Sequence, residues 1–168
     1  LILTGMMGVG KSTIGLNLSK KLSFSFVDMD SIIEKKEGSS INLIFKKKGE
    51  NYFRIVENRL TLKELENRKN SVISLGGGSF MNKNIREMVK KTSVSFWLDV
   101  NINILIGRLV NTKKRPLLAE KNLGDTVKKI YINRKKTYSK ADFRIKCGIL
   151  KPNIITNKIL ELYEYSGN

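Results

Sequence analysis

Apolar residues in this chain fall into five short runs separated by longer amphipathic stretches. The runs Leu1–Thr4, Phe26–Asp28, Val72–Leu75, Val94–Leu98 and Phe143–Lys146 read as strands, too short for helices and closely bounded by polar or glycine-rich residues. Helical spacing marks Lys11–Leu22, Ser31–Glu37, Ile41–Phe45, Glu50–Glu66, Lys83–Lys90, Ile102–Leu109, Leu123–Lys140 and Asn153–Tyr165. Strands that alternate with helices imply parallel pairing, because a parallel connection needs a crossover. The pattern therefore predicts an α/β chain: a three-layer α/β/α domain around a central five-stranded parallel sheet. No repeat or linker divides the 168 residues, which fit one such domain. Ligands of these sheets bind beyond the carboxyl ends of the strands. Attention goes to the residues after Thr4, around Asp28 and after Leu75.

Composition narrows the chemistry. No run approaches the ~18 apolar residues that span a bilayer, and no secretory pattern opens the chain. The expectation is a soluble cytoplasmic protein with no membrane partner. Leu1 already lies inside a strand, so a few leading residues are expected before it. Cys147 is the sole cysteine and histidine is absent. An intrachain disulfide, a cysteine cluster for metal, Ser-His-Asp and Cys-His schemes and His-bound zinc are thereby excluded. Carboxylates, Lys, Arg, hydroxyls, backbone amides and a hard cation remain.

The formal charge of +17 invites a nucleic-acid reading. The 24 Lys against 8 Arg, with abundant Ile and Asn and only two Ala, instead fit the bias of an AT-rich coding sequence. Runs such as Lys46-Lys47-Lys48 are read as a solvated face, and no nucleic-acid partner is expected. The rarity of Arg makes each one worth an individual account.

Gly5-Met6-Met7-Gly8-Val9-Gly10-Lys11-Ser12 matches G-x-x-x-x-G-K-[ST]. Glycines let successive N–H groups turn inward onto phosphate oxygens, and the following helix adds its positive end. Gly8, Gly10, Lys11, Ser12 and Thr13 are expected to bind a nucleoside triphosphate, with Lys11 reaching the β- and γ-phosphates and Ser12 ligating Mg²⁺. Asp28-Met29-Asp30 closes the second strand in a chain with five Asp. Alternation in an extended segment sends both carboxylates to one side. One could serve the cation and the other a substrate hydroxyl; Asp30 could equally be a helix N-cap.

Further along, the chain reads EKKEGSSINLIFKKKGENYFRIVE from Glu34, SLGGGS at Ser74–Ser79, RPLL at Arg115–Leu118 and RKKTY at Arg134–Tyr138. With the phosphate loop and D-x-D, this ordered set resembles the shikimate kinase family over essentially the whole chain. The resemblance implies a P-loop kinase of the nucleoside monophosphate kinase-like fold. It also implies transfer of the ATP γ-phosphoryl group to the 3-hydroxyl of shikimate, on the way to chorismate and the aromatic amino acids.

Carried over by position, Asp30 would bind a ring hydroxyl and serve as general base, and Asp28 would support Mg²⁺ beside Ser12. Arg54 and Arg134 would bind the substrate carboxylate, with Glu57 holding the network and Gly77 and Gly78 approaching the ring. Lys11, Asp30 and Arg115 form the expected catalytic set. Arg108 and Pro152 would flank the adenine. The substrate region is expected at about 30–62, and a lid at Val110–Asn122 carries Arg115. A monomer is what the family suggests.

Arg59, Arg68, Arg86 and Arg144 are read as surface residues and Trp97 as core; Phe45 or Phe53 could line an apolar wall. Other acceptors, such as gluconate or a nucleoside monophosphate, a nucleotide-dependent nucleic-acid binder and an inactive homologue are the competing readings.

Overall fold

The computed structural model describes residues 1–110 and 122–167. Five strands, β1 (Ile2–Thr4), β2 (Ser25–Asp28), β3 (Ser71–Ser74), β4 (Ser95–Asp99) and β5 (Phe143–Lys146), form one parallel sheet in the order β2-β3-β1-β4-β5. Every residue of β1, β3 and β4 is buried, as strands covered on both faces require. Phe96 and Trp97 are among the largest fully buried side chains.

Helices flank the sheet: α1 (Lys11–Leu22), α2 (Met29–Glu37), α3 (Ile41–Asn67), α4 (Lys83–Thr92), α5 (Ile102–Val110), α6 (Leu123–Tyr138) and α7 (Pro152–Tyr165). A 3₁₀ turn at Ser79–Met81, which the periodicity does not reveal, follows β3. The two helices expected at Ile41–Phe45 and Glu50–Glu66 form a single kinked helix, α3. Gly49, at φ 79° and ψ 169°, interrupts it where the expected segments meet. Among the described residues, no helix is long and apolar enough to cross a membrane.

Register aligns the strand ends. Asp28 stands opposite Ser74, Leu3 opposite Ser74 and Phe96, and Asp99 opposite Lys146. The chain runs from β1 to β2 on one side of the sheet, then from β3 to β4 across β1 to the other. The order reverses there, and such a reversal opens a crevice at the carboxyl edge. The loops after β1, β2 and β3 all issue from that edge.

Candidate active site

The loop Gly5–Gly10 leaves β1 and ends in α1. Gly10 adopts φ 99°, a left-handed conformation that a side chain would strain although the space around it is open. No side chain caps α1 and no acid lies in its first turn, so its leading N–H groups face the loop. The Lys11 ammonium donates to the carbonyls of Gly5 (3.1 Å) and Met6 (3.0 Å), folding over the loop. A cleft of about 210 Å³ is lined by the residues Gly8 and Gly10–Thr13 together with Asp28 and Asp30.

The two acids of D-x-D differ in setting. Asp28 ends β2 and caps α2, accepting from the Asp30 N–H at 3.1 Å while its other oxygen accepts from the Ser12 hydroxyl at 2.6 Å. The cap is thus Asp28 rather than Asp30, which sits in the first turn of α2. Extended alternation stops at Asp28; strand end and helix start, not one strand face, bring both carboxylates to the cleft. The oxygens of Ser12 and Asp28 are hard donors side by side, the kind Mg²⁺ selects. Among the described residues, no three His, Cys, Asp or Glu side chains gather into a metal cage. A cation there would take phosphate and water oxygens as its remaining ligands, which is how Mg²⁺ is commonly held.

The triple glycine after β3 is the meeting point of the other residues. A Cβ built on Gly76 would lie 2.5 Å from Glu57 Oε1 and 3.0 Å from Asp30 Oδ1; one on Gly78 would lie 2.5 Å from Arg54 Nη1. On Gly77 it would lie 3.2 Å from the Met7 nitrogen and 3.7 Å from Arg134 Nη1. Phosphate loop, Asp30, Arg54, Glu57 and Arg134 therefore converge on three residues without side chains. Glu57, only 3 % exposed, accepts from Arg54 Nη1 (2.6 Å) and from the Ser79 hydroxyl (2.7 Å). Glu50 accepts from Arg54 Nε and Nη2 at 3.1 and 2.9 Å. Burial alone would weaken the proton affinity of Arg54; the two glutamates outweigh it, and the guanidinium pKa rises. Phe45 and Phe53 pack at 4.7 Å between ring centres, with Arg54 lying over Phe53. Arg134 Nη1 and the Tyr138 hydroxyl both donate to the Gly77 carbonyl.

Arg108 closes α5, whose Leu105 and Leu109 pack beside Gly8. Pro152 opens α7, shortly after Cys147, whose thiol burial pushes up to about 11. Arg115 and most of the expected lid, 111–121, lie outside the described residues. The sequence motifs include Glu50, Ser79 and Tyr138 but assign them no role. Glu50 and Tyr138 carried a signal, each being four residues from an expected site arginine on a helix and so on its face.

Three arginines read as surface residues have specific partners. Arg144 pairs with the buried Asp99 at 2.6 Å and lies over the Trp97 ring. Arg86 donates to the Phe80 carbonyl at 2.8 Å, and Arg68 pairs with Glu64 at 2.7 Å.

The family model described as shikimate kinase matches residues 7–164. A shikimate kinase of Sulfurihydrogenibium sp. is 41 % identical over 160 residues, covering 95 % of each chain. That of Persephonella marina is 43 % identical over 161 residues, covering 95 % of this chain and 96 % of its own. The structure of a shikimate kinase from Acinetobacter baumannii in complex with shikimate superposes with a TM-score of 0.93 at 32 % identity, covering 98 % of this chain and 92 % of the other. A phosphate loop facing arginines across a glycine floor, in a chain matched almost end to end by these kinases, leaves one assignment: the chain belongs to the shikimate kinase family.

Proposed function

We propose that the chain transfers the γ-phosphoryl group of ATP to the 3-hydroxyl of shikimate, giving shikimate 3-phosphate and ADP. The observation that carries this reading is the convergence of Asp30, Arg54, Glu57 and Arg134 with the phosphate loop at Gly76–Gly78. One end of that arrangement suits a polyphosphate and the other a small planar carboxylate. A guanidinium offers a carboxylate two parallel N–H bonds, which an ammonium cannot.

Phosphoryl transfer depends on positioning and charge stabilisation more than on covalent help. The loop amides and Lys11 bind the β- and γ-phosphates, and Lys11 follows the charge that spreads over the transferred group. Arg54 and Arg134 bind the ring carboxylate, with Glu57 fixing Arg54. Asp30 accepts a hydrogen bond from the attacking hydroxyl and takes its proton late in the transfer. Ser12 and Asp28 would hold Mg²⁺, whose contribution there is neutralisation of phosphate charge. Arg108 and Pro152 flank the adenine, and Arg115 meets the phosphates. The substrate region spans about 30–62 of a single domain that acts as a cytoplasmic monomer.

Coupled ADP release tests the reading, run with shikimate, gluconate and nucleoside monophosphates as separate acceptors. Turnover with shikimate far above the others is expected. Equal or greater turnover with another acceptor would overturn the substrate assignment, and none with any acceptor would overturn the kinase assignment.

A further inference from the structure

Two donors meet on one backbone oxygen at the centre of the site. The Gly77 carbonyl accepts from Arg134 Nη1 at 2.9 Å and from the Tyr138 hydroxyl. Arg134 and Tyr138 stand four residues apart on α6 and so share a helix face. Tyr138 is fully buried, its ring stacked on Trp97 at 5.9 Å between centres. Its hydroxyl also reaches the weakly accepting Met6 sulfur, at 3.8 Å, and lies within hydrogen-bonding reach of the Arg134 guanidinium. The ring is thus fixed, and the hydroxyl has one strong acceptor.

Among the described residues no peptide bond is cis, so the Gly78 N–H points opposite to the Gly77 carbonyl. Whatever fixes that carbonyl on α6 therefore fixes the heading of the Gly78 N–H, beside which the Arg54 guanidinium lies. Arg134 is an unreliable clamp for this purpose. In the proposed function, on which this inference rests, its guanidinium turns to the substrate carboxylate. Tyr138 has no such second duty.

We infer that Tyr138 is a positioning residue: its hydroxyl holds the Gly77–Gly78 peptide in the orientation that receives the ring acid while Arg134 engages the carboxylate. Burial pushes that hydroxyl up to about 12, so it stays a donor throughout the neutral range. The role concerns acceptor binding and not the nucleotide, towards whose loop the Tyr138 hydroxyl makes a weak contact with the Met6 sulfur.

The test compares the wild type with Tyr138→Phe, which keeps the ring and removes one hydroxyl. Shikimate-dependent ADP release gives kcat and both KM values, and thermal unfolding gives stability. The shikimate KM is expected to rise roughly 3- to 10-fold, the loss of one hydrogen bond. The ATP KM and kcat stay within about twofold, as for an interaction made equally in ground and transition states. The melting temperature falls by no more than about 5 °C, because Arg134 still serves the carbonyl. An unchanged shikimate KM, or equal rises in both KM values, would overturn the inference. So would a melting temperature lowered well beyond that margin with kinetics intact, which is the mark of a purely structural hydroxyl. A wild type without shikimate-dependent turnover would overturn the functional reading and this inference together. An active wild type matched by its Tyr138→Phe variant would overturn the inference alone.

Discussion

Replacing Gly78 by Ala probes how tightly the arginine network is seated. Gly78 adopts φ −105° and ψ −17°, which alanine shares without strain, so the backbone itself should not object. The new methyl would, however, stand 2.5 Å from Arg54 Nη1, 2.8 Å from Cζ and 2.9 Å from Nη2. Ordinary contact begins at 3.4 Å, so the guanidinium must retreat by 3.4 − 2.5, about 0.9 Å. It cannot retreat freely. Glu57 holds Nη1 at 2.6 Å, Glu50 holds Nε and Nη2, and Glu57 is itself fixed by Ser79. A misplacement of about 1 Å in a positioning group costs on the order of 10²-fold, or about 2.7 kcal/mol in the barrier. Stability should change little, since a weakened Arg54–Glu57 contact is set against the ~0.4–1 kcal/mol gained by replacing glycine at a compatible position. Steady-state kinetics in a coupled ADP assay read the outcome: kcat/KM for shikimate falls roughly 100-fold while the ATP KM stays near wild type. A value within threefold of wild type in a folded variant would refute the claim that Arg54 must stand where it does.

Lys11→Ala should lose about 2–4 kcal/mol of transition-state stabilisation, as when one preorganised donor to developing charge is removed; near-normal turnover would refute the loop assignment. Arg134→Lys should raise the shikimate KM and leave ATP binding close to normal, because an ammonium cannot reproduce the paired N–H bonds. A collapse in ATP affinity instead would reverse the division of roles among the arginines. Asp99→Asn removes the charge that pairs with Arg144 and accepts from Tyr131 at 2.9 Å. Denaturant unfolding should show about 1–3 kcal/mol less stability, and an unchanged midpoint would mean that the pair contributes nothing net. Burial raises Tyr131 and Tyr138 from 10 to about 12 and Cys147 from 9 to about 11. Each folded-state value exceeds its unfolded one, so the stability these groups contribute is complete below pH 9 and is lost as pH rises towards 12. Unfolding midpoints that stay flat across that interval would contradict the burial of these hydroxyls and the thiol.

The parts of the fold legible in the sequence are those written locally. The five strands and the helix over Lys11–Leu22 follow from periodicity, and the phosphate-loop motif is a run of consecutive residues. The kink at Gly49 was visible as the gap between two expected helices. What periodicity could not supply is pairing at a distance. Arg144 is exposed, as read, but its pairing with Asp99, 45 positions away, could not be seen locally. The sheet joins them: Arg144 stands opposite Trp97 and Asp99 opposite Lys146, so β4 and β5 place both side chains on one sheet face. Asp30 illustrates the other failure. Its presence in the cleft was readable, but the switch from strand to helix between Asp28 and Asp30 depends on which acid captures the free N–H of the first turn, and Asp28 does.

The arginines of the site are held by partners of different kinds, and this divides their work. Arg54 lies between two carboxylates, whereas Arg134 donates to the neutral Gly77 carbonyl. Exchanging a neutral acceptor for an anionic one gains free energy, since charge-assisted hydrogen bonds are roughly twice as strong. Arg54 has no such exchange to make; a ring carboxylate would have to share it with Glu50 and Glu57, and those two acids weaken the local positive field. Affinity for the acid group is therefore expected to come chiefly from Arg134, and orientation from Arg54. The 24 lysines fit neither role. Their charge can draw two anions towards the crevice over a Debye length of about 8 Å, but an ammonium on a flexible stem fixes no plane. In the proposed function, the geometry that would select a planar acid in this lysine-rich chain rests on Arg54 and Arg134, each seated by an identifiable oxygen.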